Sequence, residues 1–83
     1  MREDTIIVVV GLGYVGLPLA VELGKKYQTI GYDLSQSKIL SYQNNLDPTG
    51  EVSEESLKGA KNLSFTCKPE ILVRADFIIV AVP

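Results

Sequence analysis

Three glycines and one acid define the chemistry open to this sequence. Gly11-Leu12-Gly13-Tyr14-Val15-Gly16 spaces the glycines as G-x-G-x-x-G, directly after an apolar run and directly before a stretch of helical periodicity. In that setting Gly11 permits a tight turn, Gly13 lets the backbone approach a pyrophosphate with no Cβ in the way, and Gly16 lets a helix lie close to a strand. The N–H groups of Tyr14 and Val15 at the helix start then point at the phosphates, where the positive end of the helix dipole favours anions. Asp33 stands 22 positions after Gly11, close to the roughly 20 expected of an acid that accepts from the ribose hydroxyls of a bound dinucleotide. A carboxylate there repels a 2'-phosphate. Leu34, Ser35 and Gln36 include no arginine to hold one, so NAD is expected over NADP. Asp33 also suits the opening of an Asp33-Leu34-Ser35 turn, and the two roles are compatible.

The elements that position these residues follow from the hydrophobic pattern. Thr5 to Val10 is a continuous run rich in β-branched residues, too short for a stable helix and apolar on both faces, as a central parallel strand requires. From Tyr14 to about Lys26, Val15, Leu19, Ala20 and Leu23 recur at helical spacing, and Pro18 is tolerated because the first N–H groups of a helix have no partner inside it. Thr29 to Tyr32 predicts a second strand. Ser35 predicts an N-cap for a helix whose buried stripe is Ile39, Leu40, Tyr42 and Leu46, closed by Asn44 and Asn45. Asp47-Pro48-Thr49-Gly50 is turn chemistry, and Ser53-Glu54-Glu55 opens a short helix. Asn62 to Thr66 reads as a third strand, Pro69 to Val73 as one or two helical turns, and Phe77 to Val82 as a fully buried fourth strand.

This alternation predicts an α/β, Rossmann-type parallel sheet with right-handed crossovers and strand order 3-2-1-4, a partial doubly wound fold. Residues 1–83 are accordingly expected to be the N-terminal part of a dinucleotide-binding domain, truncated from a longer polypeptide, with the fourth strand left as a bare edge. With 83 residues there is room for a single modest core, and a complete two-substrate enzyme does not fit. Eight basic against ten acidic side chains offer no positive field for a nucleic acid. The longest apolar run, Phe77 to Val82, falls far short of the roughly 18 residues of a membrane span, so no membrane partner is expected. The acidic start Met1-Arg2-Glu3-Asp4 is unlike a secretory signal, and Cys67 has no second cysteine to pair with, so a cytoplasmic location is expected.

Gly11-Leu12-Gly13-Tyr14-Val15-Gly16-Leu17-Pro18-Leu19-Ala20, then Gly31-Tyr32-Asp33, then Asp76-Phe77-Ile78-Ile79-Val80-Ala81-Val82-Pro83 resemble the N-terminus of the UDP-glucose/GDP-mannose dehydrogenase family. The resemblance covers essentially the whole chain, and the tyrosine and proline in the glycine segment are not demanded by dinucleotide binding in general. Asp47-Pro48-Thr49-Gly50-Glu51-Val52 further resembles the branch acting on UDP-N-acetylhexosamines in capsule, O-antigen or Vi-type polysaccharide synthesis. The resemblance implies an NAD-dependent oxidation of a UDP-sugar C6 hydroxyl to a carboxylate, through a thiohemiacetal on a cysteine. It also implies that Lys38, five after Asp33, approaches the adenosine end and that Val82 begins a loop lining the cofactor. A homo-oligomer is expected. Lys38 reads equally well as a solvated first-turn lysine.

No catalytic acid, base or nucleophile is assignable within these residues, and the 83 residues alone are expected to be catalytically silent. Cys67 lies between a short strand and Pro69, unlike the glycine-flanked cysteine the family places far downstream, and reads as an inert thiol. Asp47, Glu51, Glu54 and Glu55 read as a solvated loop and helix-start cluster, with no histidine to complete a metal site. A nucleotide-sensing regulatory module, such as the ligand-gated domains of potassium channels, shares the glycine turn and the acid after the second strand but needs no tyrosine-proline signature. The opening of an FAD-binding domain is a further alternative, where the same turn also occurs.

Overall fold

The computed structural model describes residues 3–81. The elements are β1 (Ile6–Val10), α1 (Gly16–Gly24), β2 (Gln28–Tyr32), α2 (Gln36–Gln43), α3 (Glu54–Gly59), β3 (Leu63–Thr66), a 3-10 helix (Pro69–Arg74) and β4 (Phe77–Val80). The four strands form one parallel sheet in the order β3-β2-β1-β4, as the alternation predicts. The chain builds outward from β1 through β2 to β3 and then crosses back to the other side of β1. The reversal therefore lies at β1, whose carboxyl end leads into the glycine segment.

Both faces of β1 are covered. Val9 packs with Leu17, Ala20 and Val21 of α1 and with Ile39, Tyr42, Val52 and Leu57. Val8 faces the opposite layer with Ile30 and Tyr32, backed by Ile71, Leu72 and Ala75 of the 3-10 segment and its exit. Val8 and Val9 are fully buried, each worth roughly 1.5–3 kcal/mol of apolar transfer, which is why the run is apolar throughout.

α1 begins at Gly16, two residues later than the periodicity indicates. Tyr14 and Val15 form the entry turn, with Leu17 N–H donating to the Gly13 carbonyl at 3.1 Å and Leu19 N–H to Val15 at 3.2 Å. Pro18 is the third helical residue, so its missing N–H costs no interior bond. In α2 the Ser35 hydroxyl accepts from Lys38 N–H, the cap read from the sequence. The stripe is narrower than expected. Ile39 and Tyr42 are buried, whereas Leu40 and Leu46 are exposed, because α2 is only eight residues long and meets the sheet along one edge.

β4 also departs from expectation. Phe77, Ile78 and Val80 are more than half exposed and Ile79 is half-buried. β4 pairs only with β1, so nothing among the described residues stands on its outer side, and the fully buried assignment does not hold. The strand runs from Phe77 to Val80, and Val82 lies outside the described residues. Asp76 just before it ties the sheet from below: its carboxylate accepts from Ile6 N–H at 2.8 Å.

Asp47 corrects a further expectation. Its carboxylate is buried, accepting from Thr49 N–H (3.0 Å), the Thr49 hydroxyl (2.8 Å) and Val52 N–H (3.0 Å), so it shapes the 47–52 turn from inside. Burial by itself pushes the Asp47 carboxyl up, but the hydrogen bonds from Thr49, Val52 and Glu51 outweigh it and hold the group below the ordinary 3.8. Asp47→Ala is expected to cost about 2–3 kcal/mol in a denaturant titration, since it strips donors from a buried turn. Asp47 and the similarly depressed Asp33 also fix the acid response. Their folded pKa values lie below the unfolded value, so the unfolded chain takes up protons first as pH falls. Their contribution is complete above about pH 5 and is lost as pH drops through 4 and below. With no histidine in the sequence, the denaturation midpoint is expected to be flat from about pH 5 to 8 and to fall as pH drops below the ordinary carboxylate range.

Candidate cofactor-binding site

The carboxyl ends of all four strands are brought level by three backbone bonds. Gly11 N–H donates to Tyr32 O (2.9 Å), Asp33 N–H to Thr66 O (3.3 Å) and Ala81 N–H to Val10 O (2.8 Å). Just beyond them opens a cleft of about 410 Å³ lined by Gly11, Leu12, Gly13, Tyr14, Val15, Asp33, Lys38 and Ala81. Six of the eight residues singled out from the sequence are therefore in one place. Gly16 sits directly behind the cleft, and Val82 follows Ala81 outside the described residues.

The three glycines have different duties. Gly11 has φ +95°, and a Cβ on it would come 2.5 Å from the Ala81 carbonyl oxygen, so both conformation and space exclude a side chain. A Cβ on Gly16 would overlap the Gly11 carbonyl, which shows how closely α1 lies against the strand end. Gly13 meets nothing within 4 Å: its missing side chain leaves open space on the cleft side. The N–H groups of Gly13, Tyr14 and Val15 have no acceptor among the described residues. Open space in front of unpartnered N–H groups at a helix start fits a pyrophosphate.

Asp33 holds the other end of the cleft. One carboxylate oxygen accepts from Leu12 N–H at 2.9 Å and the other from Ser35 N–H at 2.9 Å, while Lys38 Nζ stands 3.9 Å away. Burial raises the Asp33 carboxyl. The N–H groups of Ser35 and Leu12, the Lys38 charge and the Leu34 N–H more than compensate, so the net shift is downward and the group is ionised at neutral pH. An ionised carboxylate offers about four acceptor sites, so the N–H groups of Leu12, Ser35 and Leu34 still leave capacity for a ribose hydroxyl. Asp33 therefore opens the Asp33–Ser35 turn and remains available to a ligand. Lys38 is half-exposed and joins this group rather than pointing away from it.

The structure adds residues that spacing does not reveal. The Tyr42 hydroxyl donates to the Leu12 carbonyl at 3.0 Å, so α2 touches the glycine segment directly. Leu12 is itself buried and seats against Gly31, where a Cβ would crowd both Leu12 and Phe65. Cys67 is half-buried and packs against the α1-side core. Among the described residues no group of three His, Cys, Asp or Glu side chains is placed to hold a metal ion, and no helix is long and apolar enough to cross a membrane.

Comparison with known proteins agrees with this geometry. The chain is 53% identical over 77 residues to Protein CapL of Staphylococcus aureus, covering 93% of this chain and 18% of that protein. It is 43% identical over 81 residues to UDP-N-acetyl-D-glucosamine 6-dehydrogenase of Salmonella typhi, covering 98% and 19%. The ternary complex of GDP-mannose dehydrogenase from Pseudomonas aeruginosa superposes with a TM-score of 0.79 at 28% identity, over 93% of this chain and 19% of that one. The chain thus spans a little under a fifth of these relatives' length. The sequence profile described as "UDP-glucose/GDP-mannose dehydrogenase family, NAD binding domain" matches residues 5–83. With a Rossmann-type sheet, a phosphate-sized opening at Gly13 and an ionised acid after β2, this chain belongs to the UDP-glucose/GDP-mannose dehydrogenase family, in its NAD-binding domain, and its cofactor is NAD.

Proposed function

We propose that residues 1–83 form the N-terminal part of the cofactor domain of a UDP-sugar 6-dehydrogenase, with the cleft at the carboxyl ends of β1 and β2 as its NAD site. The observation that carries this reading is that Gly13, Tyr14 and Val15, whose N–H groups have no acceptor among the described residues, line the same cleft as the Asp33 carboxylate, with open space where a Gly13 side chain would stand. NAD supplies the hydride acceptor for oxidation of the sugar C6 hydroxyl. The contribution of this chain is binding and orientation. The N–H groups after Gly11 receive the pyrophosphate, Asp33 accepts from the adenosine ribose hydroxyls, and Lys38 balances charge at the adenosine end. Gly11 and Gly16 keep strand and helix close enough to form the cradle.

A UDP-N-acetylhexosamine is the substrate class this reading favours, because the relatives with 43% and 47% identity are UDP-N-acetyl-D-glucosamine 6-dehydrogenases. Such a product feeds surface polysaccharide synthesis. The protein would work in the cytoplasm, consistent with a single unpaired cysteine, and as a homo-oligomer. The groups that act on the sugar are assigned to the rest of the enzyme, since the cleft lining among the described residues includes no cysteine to carry a thiohemiacetal.

Cofactor choice tests the Asp33 assignment. Calorimetric titration is expected to show NAD binding at least about tenfold tighter than NADP, because a 2'-phosphate would meet the ionised carboxylate. Asp33→Ala is expected to weaken NAD by roughly tenfold and to narrow the gap. Equal affinities for the two dinucleotides in the unmodified protein would remove Asp33 from the site.

A further inference from the structure

Leu12 is held at both ends of its backbone. Its N–H donates to Asp33 at 2.9 Å, and its carbonyl accepts from the Tyr42 hydroxyl at 3.0 Å. The Leu12 carbonyl and the Gly13 N–H belong to one planar trans peptide and point in opposite directions. A carbonyl turned inward to a buried phenol therefore turns the Gly13 N–H outward, away from Tyr42, and Gly13 lines the cleft. Tyr42 is itself fixed. It is buried in the α1-side core, with its ring 5.3 Å from Phe65 and tilted by 46°. The hydroxyl remains protonated, because burial and the negative charges of Asp47 and Asp33 push its pKa up. The hydroxyl is therefore a donor at neutral pH.

We propose that Tyr42 is a positioning residue for cofactor binding, its hydroxyl locking the Leu12–Gly13 peptide so that the Gly13 N–H is pre-aimed at the pyrophosphate. This rests on the reading of the cleft as the NAD site and extends it to a side chain on α2 that does not line the pyrophosphate opening. Without the hydroxyl the Leu12 carbonyl has no buried donor, and the peptide is free to rotate toward water. Binding must then re-order it, at a cost that falls only on ligands using the Gly13 N–H.

The test is Tyr42→Phe, which keeps the ring and its packing, in the complete protein with NAD, ADP-ribose and adenosine as ligands. NAD and ADP-ribose carry the pyrophosphate, whereas adenosine engages only the Asp33 end. Tyr42→Phe is expected to raise the Kd of NAD and of ADP-ribose about tenfold and to leave adenosine within about twofold. Leu57→Val, which trims the same core away from the glycine segment, is expected to lower the unfolding midpoint without this selectivity. An unchanged Kd for NAD in Tyr42→Phe, an equal loss for all three ligands, or the same selectivity in Leu57→Val would each overturn the positioning role. A wild-type protein that binds no NAD would defeat the underlying site reading as well, so the two failures are told apart.

Discussion

Replacing Gly13 with valine is expected to abolish NAD binding while leaving the fold intact. Gly13 lies outside the left-handed region, so a β-branched residue is accommodated by its backbone, and its Cβ would meet no atom within 4 Å. Surface substitutions of this kind change stability by only about 0.5 kcal/mol. The valine methyls would instead occupy the opening in front of the Gly13, Tyr14 and Val15 N–H groups, where the pyrophosphate is to lie. Hydrogen bonds to a charged group contribute about 1.5–3 kcal/mol each, so losing even one with the added clash weakens binding by on the order of a hundredfold or more. Calorimetry and a thermal melt on the same sample check both halves. A folded Gly13→Val protein with wild-type affinity would place the phosphates elsewhere.

Gly16→Ala is expected to do the reverse: it should unfold or severely loosen the protein before binding is at issue. The new Cβ would overlap the Gly11 carbonyl and stand 3.2 Å from Ala81 Cβ. The first obstacle is backbone, so no rotamer change relieves it and α1 has to move off β1. That separation would also open the contacts of Leu17, Ala20 and Val21 with Val9. Overpacking of this severity costs about 3 kcal/mol or more, a large share of the roughly 4–12 kcal/mol that a chain of this length holds in total. A denaturant titration should therefore show a midpoint shifted far to the left of wild type. The two glycines are three residues apart in one motif, yet one is required for ligand space and the other for packing.

The parts of the site legible in the sequence are those encoded by spacing along the chain. Gly11, Gly13 and Gly16 announce a strand-turn-helix entry, Asp33 falls where the second strand ends, and alternation alone yields the 3-2-1-4 sheet. What stayed hidden depends on contacts through space. Tyr42 reads as one apolar position in a helical stripe, and only the approach of α2 to the glycine segment turns its hydroxyl into a partner for Leu12. Asp47 reads as a solvated turn acid because burial of a carboxylate is unusual without partners, and its donors, Thr49 and Val52, are supplied by the fold of the turn itself. Asp76 enters the sequence reading only as part of a resembling segment, and its acceptor role toward Ile6, which crosses 70 residues, is not visible there. Leu40 and Leu46 obey helical periodicity but find no surface to meet, and β4 is as apolar as a central strand while occupying an edge. Periodicity identifies which residues could be buried. Neighbours decide which ones are.

The most direct test of the NAD site is an amide-resolved NMR titration with NAD. Saturable shifts are expected to concentrate at Gly11 to Gly16 and at Asp33 to Ser35, with Lys26, Lys61 and Asn62 at the amino ends of the strands unchanged. Shifts clustered at those amino ends, or no shifts at saturating NAD in a folded sample, would contradict the assignment of that site.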